Sequence, residues 1–74
     1  MQTYVSFIYS NFTGEVRTFQ DIYPSAEDAA YWTLYNEGFE PETGKTLDEY
    51  EQFAFDCDHA LGVHQVKSWP AMNQ

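Results

Sequence analysis

Apolar and polar residues alternate from Thr3 to Ser10, with Val5, Phe7 and Tyr9 on one side and Tyr4, Ser6 and Ile8 on the other. Alternation of period two in a β-branched and aromatic segment predicts a strand over 3–10. Both sides carry apolar residues, so this strand is expected to be central or covered on two faces. Asn11-Phe12-Thr13-Gly14 predicts a turn, because Asn and Gly tolerate positive φ. Residues 15–20 then return as a second strand of a hairpin.

The period lengthens after Pro24. Ser25 with Asp28 three residues on is a capping-box variant, and Glu27 and Asp28 complement the positive end of a helix dipole. The predicted helix spans 26–37 and stops at Gly38 in the left-handed C′ position, with Phe39 following at C″. Ala29, Ala30, Thr33 and Leu34 form a small-residue seam suited to close packing on a sheet. A loop over 40–45 leads to Thr46 and Glu49, a complete capping box. Leu47, Tyr50, Phe53, Ala54, Cys57, Ala60 and Leu61 fall on one helical stripe, which predicts a helix over 47–61 ended by Gly62. A third strand is expected over 63–69, stopped by Pro70 and followed by a frayed tail.

The resulting order is β-β-α-α-β: a single α+β domain over 1–74, with two helices on one face of a three-stranded antiparallel sheet. The expected core is Val5, Phe7, Ile8, Val16, Phe19, Ala30, Leu34, Leu47, Tyr50, Phe53, Ala54, Cys57, Leu61 and Val66. Seventy-four residues leave room for one core. Six Phe, six Tyr and two Trp argue for a packed globule and against a disordered acidic tail.

Charge changes the picture most. Twelve acids face three bases, a net charge of −9. Eleven of those acids and one base, Lys45, lie between Asp21 and Asp58, so the helices and their connecting loop hold nearly all of it. Such a surface opposes binding to nucleic acid or to an anionic membrane, and its natural partners are basic. No apolar run is long enough for a membrane helix. Residues 1–12 have no basic residue ahead of their apolar part, unlike a secretory signal. The expected address is the cytoplasm of the producing cell or of a cell the protein enters.

Catalytic and metal chemistry find little support. Asp56, Cys57, Asp58, His59 and His64 contain zinc-type ligands, but a helix turns Cys57 into the apolar stripe and Asp56 and His59 onto a neighbouring face. Cys57 and His59 at i,i+2 do not face each other, as a nucleophile and its base must. There is no glycine-rich phosphate loop. A non-enzyme without metal or cofactor is expected.

One reading of the acids is solubility alone, several being helix caps. The other is a polyanion mimic: a rigid scaffold whose carboxylates enter the basic groove of a nucleic-acid-binding protein. The residues expected to carry it are Glu37, Glu40, Glu42, Asp48, Glu49, Glu51, Asp56 and Asp58. Tyr31, Trp32 and Tyr35 add anchoring area beside them. Asp48, Glu51 and Asp58 are expected along one edge of the second helix, with Glu49 and Asp56 along the other. In size, charge and lack of catalytic groups the chain resembles the small acidic inhibitors that phages make against restriction or CRISPR systems. The competing class is an assembly module, with a homodimer as one form, that docks through its exposed aromatics.

Overall fold

The computed structural model describes residues 1–66. Its elements are β1 (Gln2–Ser10), β2 (Val16–Tyr23), α1 (Ala26–Asn36), α2 (Leu47–Asp56) and β3 (His59–Gln65). β1 lies in the middle and pairs antiparallel with both neighbours, giving the sheet order β2-β1-β3. The α+β class and the β-β-α-α-β order are those read from the sequence. Gly14 closes the hairpin at φ +78°.

Local signals place the helices. Ser25 caps α1 by accepting from the Asp28 N–H, and Thr46 and Glu49 complete their reciprocal box at the start of α2. At the far end of α1 the Phe39 N–H donates to the Leu34 carbonyl and the Gly38 N–H to the Tyr35 carbonyl, with Gly38 at φ +104°. That is the Schellman arrangement, and it uses the glycine the sequence offered for it.

Both helices cover one face of the sheet. The core cluster joins Ile8 and Leu61 of the sheet to Ala30 and Leu34 of α1 and to Tyr50 and Ala54 of α2. Phe19, Leu47 and Phe53 pack half-buried against it. The buried side of β1 is Tyr4, Ser6 and Ile8, whereas Val5, Phe7 and Tyr9 lie half-buried on the opposite face. This corrects the expected core at Val5, Phe7 and Val16, the last being more than half exposed. Ser6 decides the direction. Its hydroxyl donates to Thr33 Oγ1, and the Thr33 hydroxyl donates to the Ala29 carbonyl at 2.8 Å. Two small, mutually satisfied polar side chains let α1 approach the sheet closely, where a Phe would hold it away.

The junction after α2 also differs from expectation. The helix ends at Asp56, and Asp58 rather than Gly62 takes the left-handed position, at φ +62°. β3 therefore starts at His59, and Ala60, Leu61 and Gly62 are strand residues. Leu61 stays in the core because a strand beginning at His59 turns it toward Ile8, its partner across the ladder. Cys57, half-buried at the helix cap, and Val66, half-buried just past β3, are peripheral to the core rather than part of it. Gly62 has a different role: the Phe7 ring lies across it, and a Cβ there would push that ring aside. The predicted strand positions 67–69, Pro70 and the tail lie outside the described residues.

Because Asp58 carries a Cβ and is held at positive φ, Asp58→Gly is expected to stabilise the domain by about 0.5–1 kcal/mol despite the looser unfolded chain. Chemical denaturation checks this. A loss of stability would mean that the Asp58 side chain contributes more than the strain costs.

Candidate acidic groove

The loop between the helices and the outer face of α2 enclose a groove of about 470 Å³. Glu40, Pro41, Glu42 and Lys45 form one wall, and Glu49, Tyr50, Gln52, Phe53 and Asp56 form the other. The helical wall follows from the start of α2. Once Thr46 is the cap, positions 49, 52, 53 and 56 fall on one face by the i, i+3, i+4, i+7 rule.

Tyr50 fixes the loop to that wall. Its ring is buried, while its hydroxyl donates to the Glu42 carbonyl at 2.7 Å and accepts from the Lys45 N–H at 3.4 Å. Phe53 forms part of the wall and meets Phe39 edge-to-face at 5.7 Å between centroids. Gln52 donates to Asp56 at 2.9 Å, which orients that carboxylate. The groove thus has an aromatic lining and a carboxylate rim.

Four carboxylates here face one ammonium. Lys45 sits 3.1 Å from Glu42, and hydrogen bonding to Glu42 together with the charges of Glu42 and Glu49 raises its pKa. The backbone N–H of Thr46 holds the Glu49 carboxyl below its ordinary value, with a smaller contribution from the Lys45 charge. Both groups are solvated, so the Lys45–Glu42 pair adds little to stability. The arrangement can accept a cationic side chain. Carboxylates bind a guanidinium through charge-assisted hydrogen bonds, and an aromatic lining covers its apolar stem.

The remaining expected site residues lie elsewhere. Glu37 is largely buried and pairs with Arg17 of β2 at 3.5 Å, tying the end of α1 to the sheet edge. Asp48 is exposed and Glu51 half-buried, both outside the groove lining. Asp58 is not on the helix edge where it was expected, because it forms the left-handed turn beyond it. Tyr31, Trp32 and Tyr35 make a patch of their own: Trp32 meets both tyrosines edge-to-face at 5.0 and 5.3 Å, and the tyrosine rings are nearly parallel. Trp32 and Tyr35 are exposed, while Tyr31 reaches Tyr50 at 6.4 Å and so links the patch to the groove's aromatic wall. The sequence reading missed Pro41, Lys45, Gln52, Tyr50 and Phe53 as lining residues. The helical spacing from Thr46 was the signal for Gln52 and Phe53.

Among the described residues no three His, Cys, Asp or Glu side chains converge as a metal cluster. His59 opens β3 instead of closing the helix, and its Nδ1–H donates to the Cys57 carbonyl at 2.7 Å. Its ring stands edge-to-face against Phe39. No described helix is long and apolar enough to cross a membrane. Comparison with protein-family models, curated proteins and solved structures finds no match for this chain.

Proposed function

We propose that this protein is a small acidic inhibitor that acts without catalysis, by occupying the basic nucleic-acid-binding surface of a partner protein. The observation that carries the reading is the groove itself. Glu40, Glu42, Glu49 and Asp56 surround an aromatic lining with room for more than one arginine or lysine side chain, and of the polarity such side chains need. A phosphate-binding protein displays such side chains in rows, and carboxylates held on a helix and a pinned loop substitute for the phosphates. Rigidity matters, because a pre-organised anion loses little entropy when it binds. An anti-defence role of the restriction or CRISPR type, exercised in the cytoplasm, is the form this inhibition takes in our reading.

The competing reading, docking through Tyr31, Trp32 and Tyr35, is favoured by the exposure of Trp32 and Tyr35 alone. Salt separates the two. A short oligoarginine peptide titrated into the protein should shift the amide resonances of Glu42, Glu49 and Asp56, with affinity falling at least tenfold between about 50 and 500 mM salt. Shifts confined to Tyr31, Trp32 and Tyr35, or an affinity indifferent to salt, would favour the aromatic surface.

A further inference from the structure

The face of the sheet turned away from the helices is covered by no other element among the described residues. Strand alternation places Val5, Phe7 and Tyr9 there, flanked on β2 by Val16 and Ile22, which are 57% and 56% exposed. No described strand position on this face is Asp, Glu, Lys or Arg: the register puts Arg17 and Asp21 of β2 on the helix side, opposite Ile8 and Tyr4. In a chain of net charge −9, this is a broad surface without a formal charge.

We propose that a second copy of this chain covers this face, the two sheets packing against each other in a symmetric dimer. Electrostatics selects the occupant and its orientation. Copies that approach by their helical layers bring eleven-acid segments together and repel. Copies that approach by their sheets leave those layers outermost. With sheets about 10 Å apart and each helical layer about another 10 Å out, the acidic layers stand roughly 30 Å from one another. That is several times the screening length of about 8 Å at physiological salt. The smallest dimension of the protomer, 17 Å, agrees with two layers of this thickness. A twofold contact needs only one self-complementary patch, and this pleated surface of Val, Phe, Tyr and Ile, interspersed with Thr18, Gln20 and His64 but without Asp, Glu, Lys or Arg, provides it. A strongly charged partner would find no charge here to oppose its own.

Three strands of 9, 8 and 7 residues make a face of about 26 Å by about 14 Å, which presents less than the roughly 800 Å² per partner of a standard interface. The dimer is therefore weak, dissociating in the micromolar range or above. It uses the face opposite the acidic groove and does not depend on that reading. The two respond oppositely to salt: groove binding weakens, whereas self-association holds or tightens as residual repulsion is screened.

Sedimentation equilibrium on the full chain tests it. The mass should rise with concentration from 8.6 kDa toward twice that value, undiminished between about 50 and 500 mM salt. Thr18 lies on the exposed face directly opposite Phe7. Thr18→Glu and, equally, Thr18→Lys should weaken the dimer at least about 100-fold, since like charges meet across the twofold axis. Thr18→Val should dimerise as well as the parent or better. All three should melt near the parent at dilute concentration, where the protomer alone is read. A parent that stays monomeric to about 1 mM would overturn the proposal and leave the face to the chain's own last eight residues or to a foreign partner. Thr18→Glu and Thr18→Lys that dimerise like the parent would overturn it too.

Discussion

Replacing Glu42 and Asp56 with lysine and Glu49 with glutamine is expected to abolish oligoarginine binding, a loss of at least about 100-fold, without unfolding the domain. On the binding side, each lost carboxylate removes an attraction and each lysine adds a repulsion, and mispaired charges at an interface cost several kcal/mol. On the stability side, Glu42 and Asp56 are exposed and off the core. Surface changes of that kind stay within about 0.5 kcal/mol. Glutamine is chosen at position 49 because its amide oxygen still accepts from the Thr46 N–H and keeps the capping box intact. The opposite control is Lys45→Met. Lys45 is the groove's internal counter-ion, so its removal should tighten peptide binding. Calorimetric titration reads all of these. Unchanged affinity in the folded triple variant would reduce the acids to solubility.

The same groups set a pH dependence. Lowering the pH through the carboxylate range should release the peptide, and the Glu49 carboxyl, held below its ordinary value by the Thr46 N–H, keeps its charge toward the acid end of that range. The cap follows the same sign. A carboxyl whose folded pKa is depressed contributes stability that is complete above its unfolded pKa and is lost as the pH falls through the lower folded value. Peptide release and loosening of the α2 start are therefore both acid-side events.

Leu34→Ala is the packing change expected to do the greatest damage. Leu34 is completely buried in the core cluster that it shares with Ile8 of the sheet and with Tyr50 and Ala54 of α2. Truncation loses its transfer free energy and leaves a cavity, together about 2–5 kcal/mol. A chain of 74 residues has a total stability of roughly 4–11 kcal/mol, so the variant should lose a large fraction of it and unfold at a clearly lower urea concentration. Urea denaturation followed by circular dichroism measures the loss. A cost below about 1 kcal/mol would mean that the core is built elsewhere than around α1.

Local chemistry was the legible part of this fold. Ser25, Gly38, Thr46 and Glu49 act within one turn of the backbone, so their roles survive any tertiary arrangement. The end of α2 was not legible, because Ala54, Cys57 and Leu61 fit a helical stripe and Leu61 fits a strand equally well. Asp58 entering the left-handed region decides between them, and aspartate does so far less often than glycine. The buried face of β1 was hidden for another reason. Hydrophobicity favours Val5, Phe7 and Tyr9, but the hydroxyl pair of Ser6 and Thr33 shows that closeness of α1 outweighs side-chain size. For the site, the carboxylates were visible as charge, and Glu40, Glu42, Glu49 and Asp56 do share one groove. Glu37 was indistinguishable from them until Arg17, twenty residues earlier in sequence, was seen beside it.

Under the proposed function, the acidic groove and a nucleic acid compete for one basic surface of the partner. The most direct measurement is a displacement titration on the partner that the immobilised protein captures from a host lysate. Increasing amounts of the nucleic acid that the partner binds should release it completely, with one site shared between the two ligands. Formation of a ternary complex, with partner, nucleic acid and this protein bound together, would contradict the account.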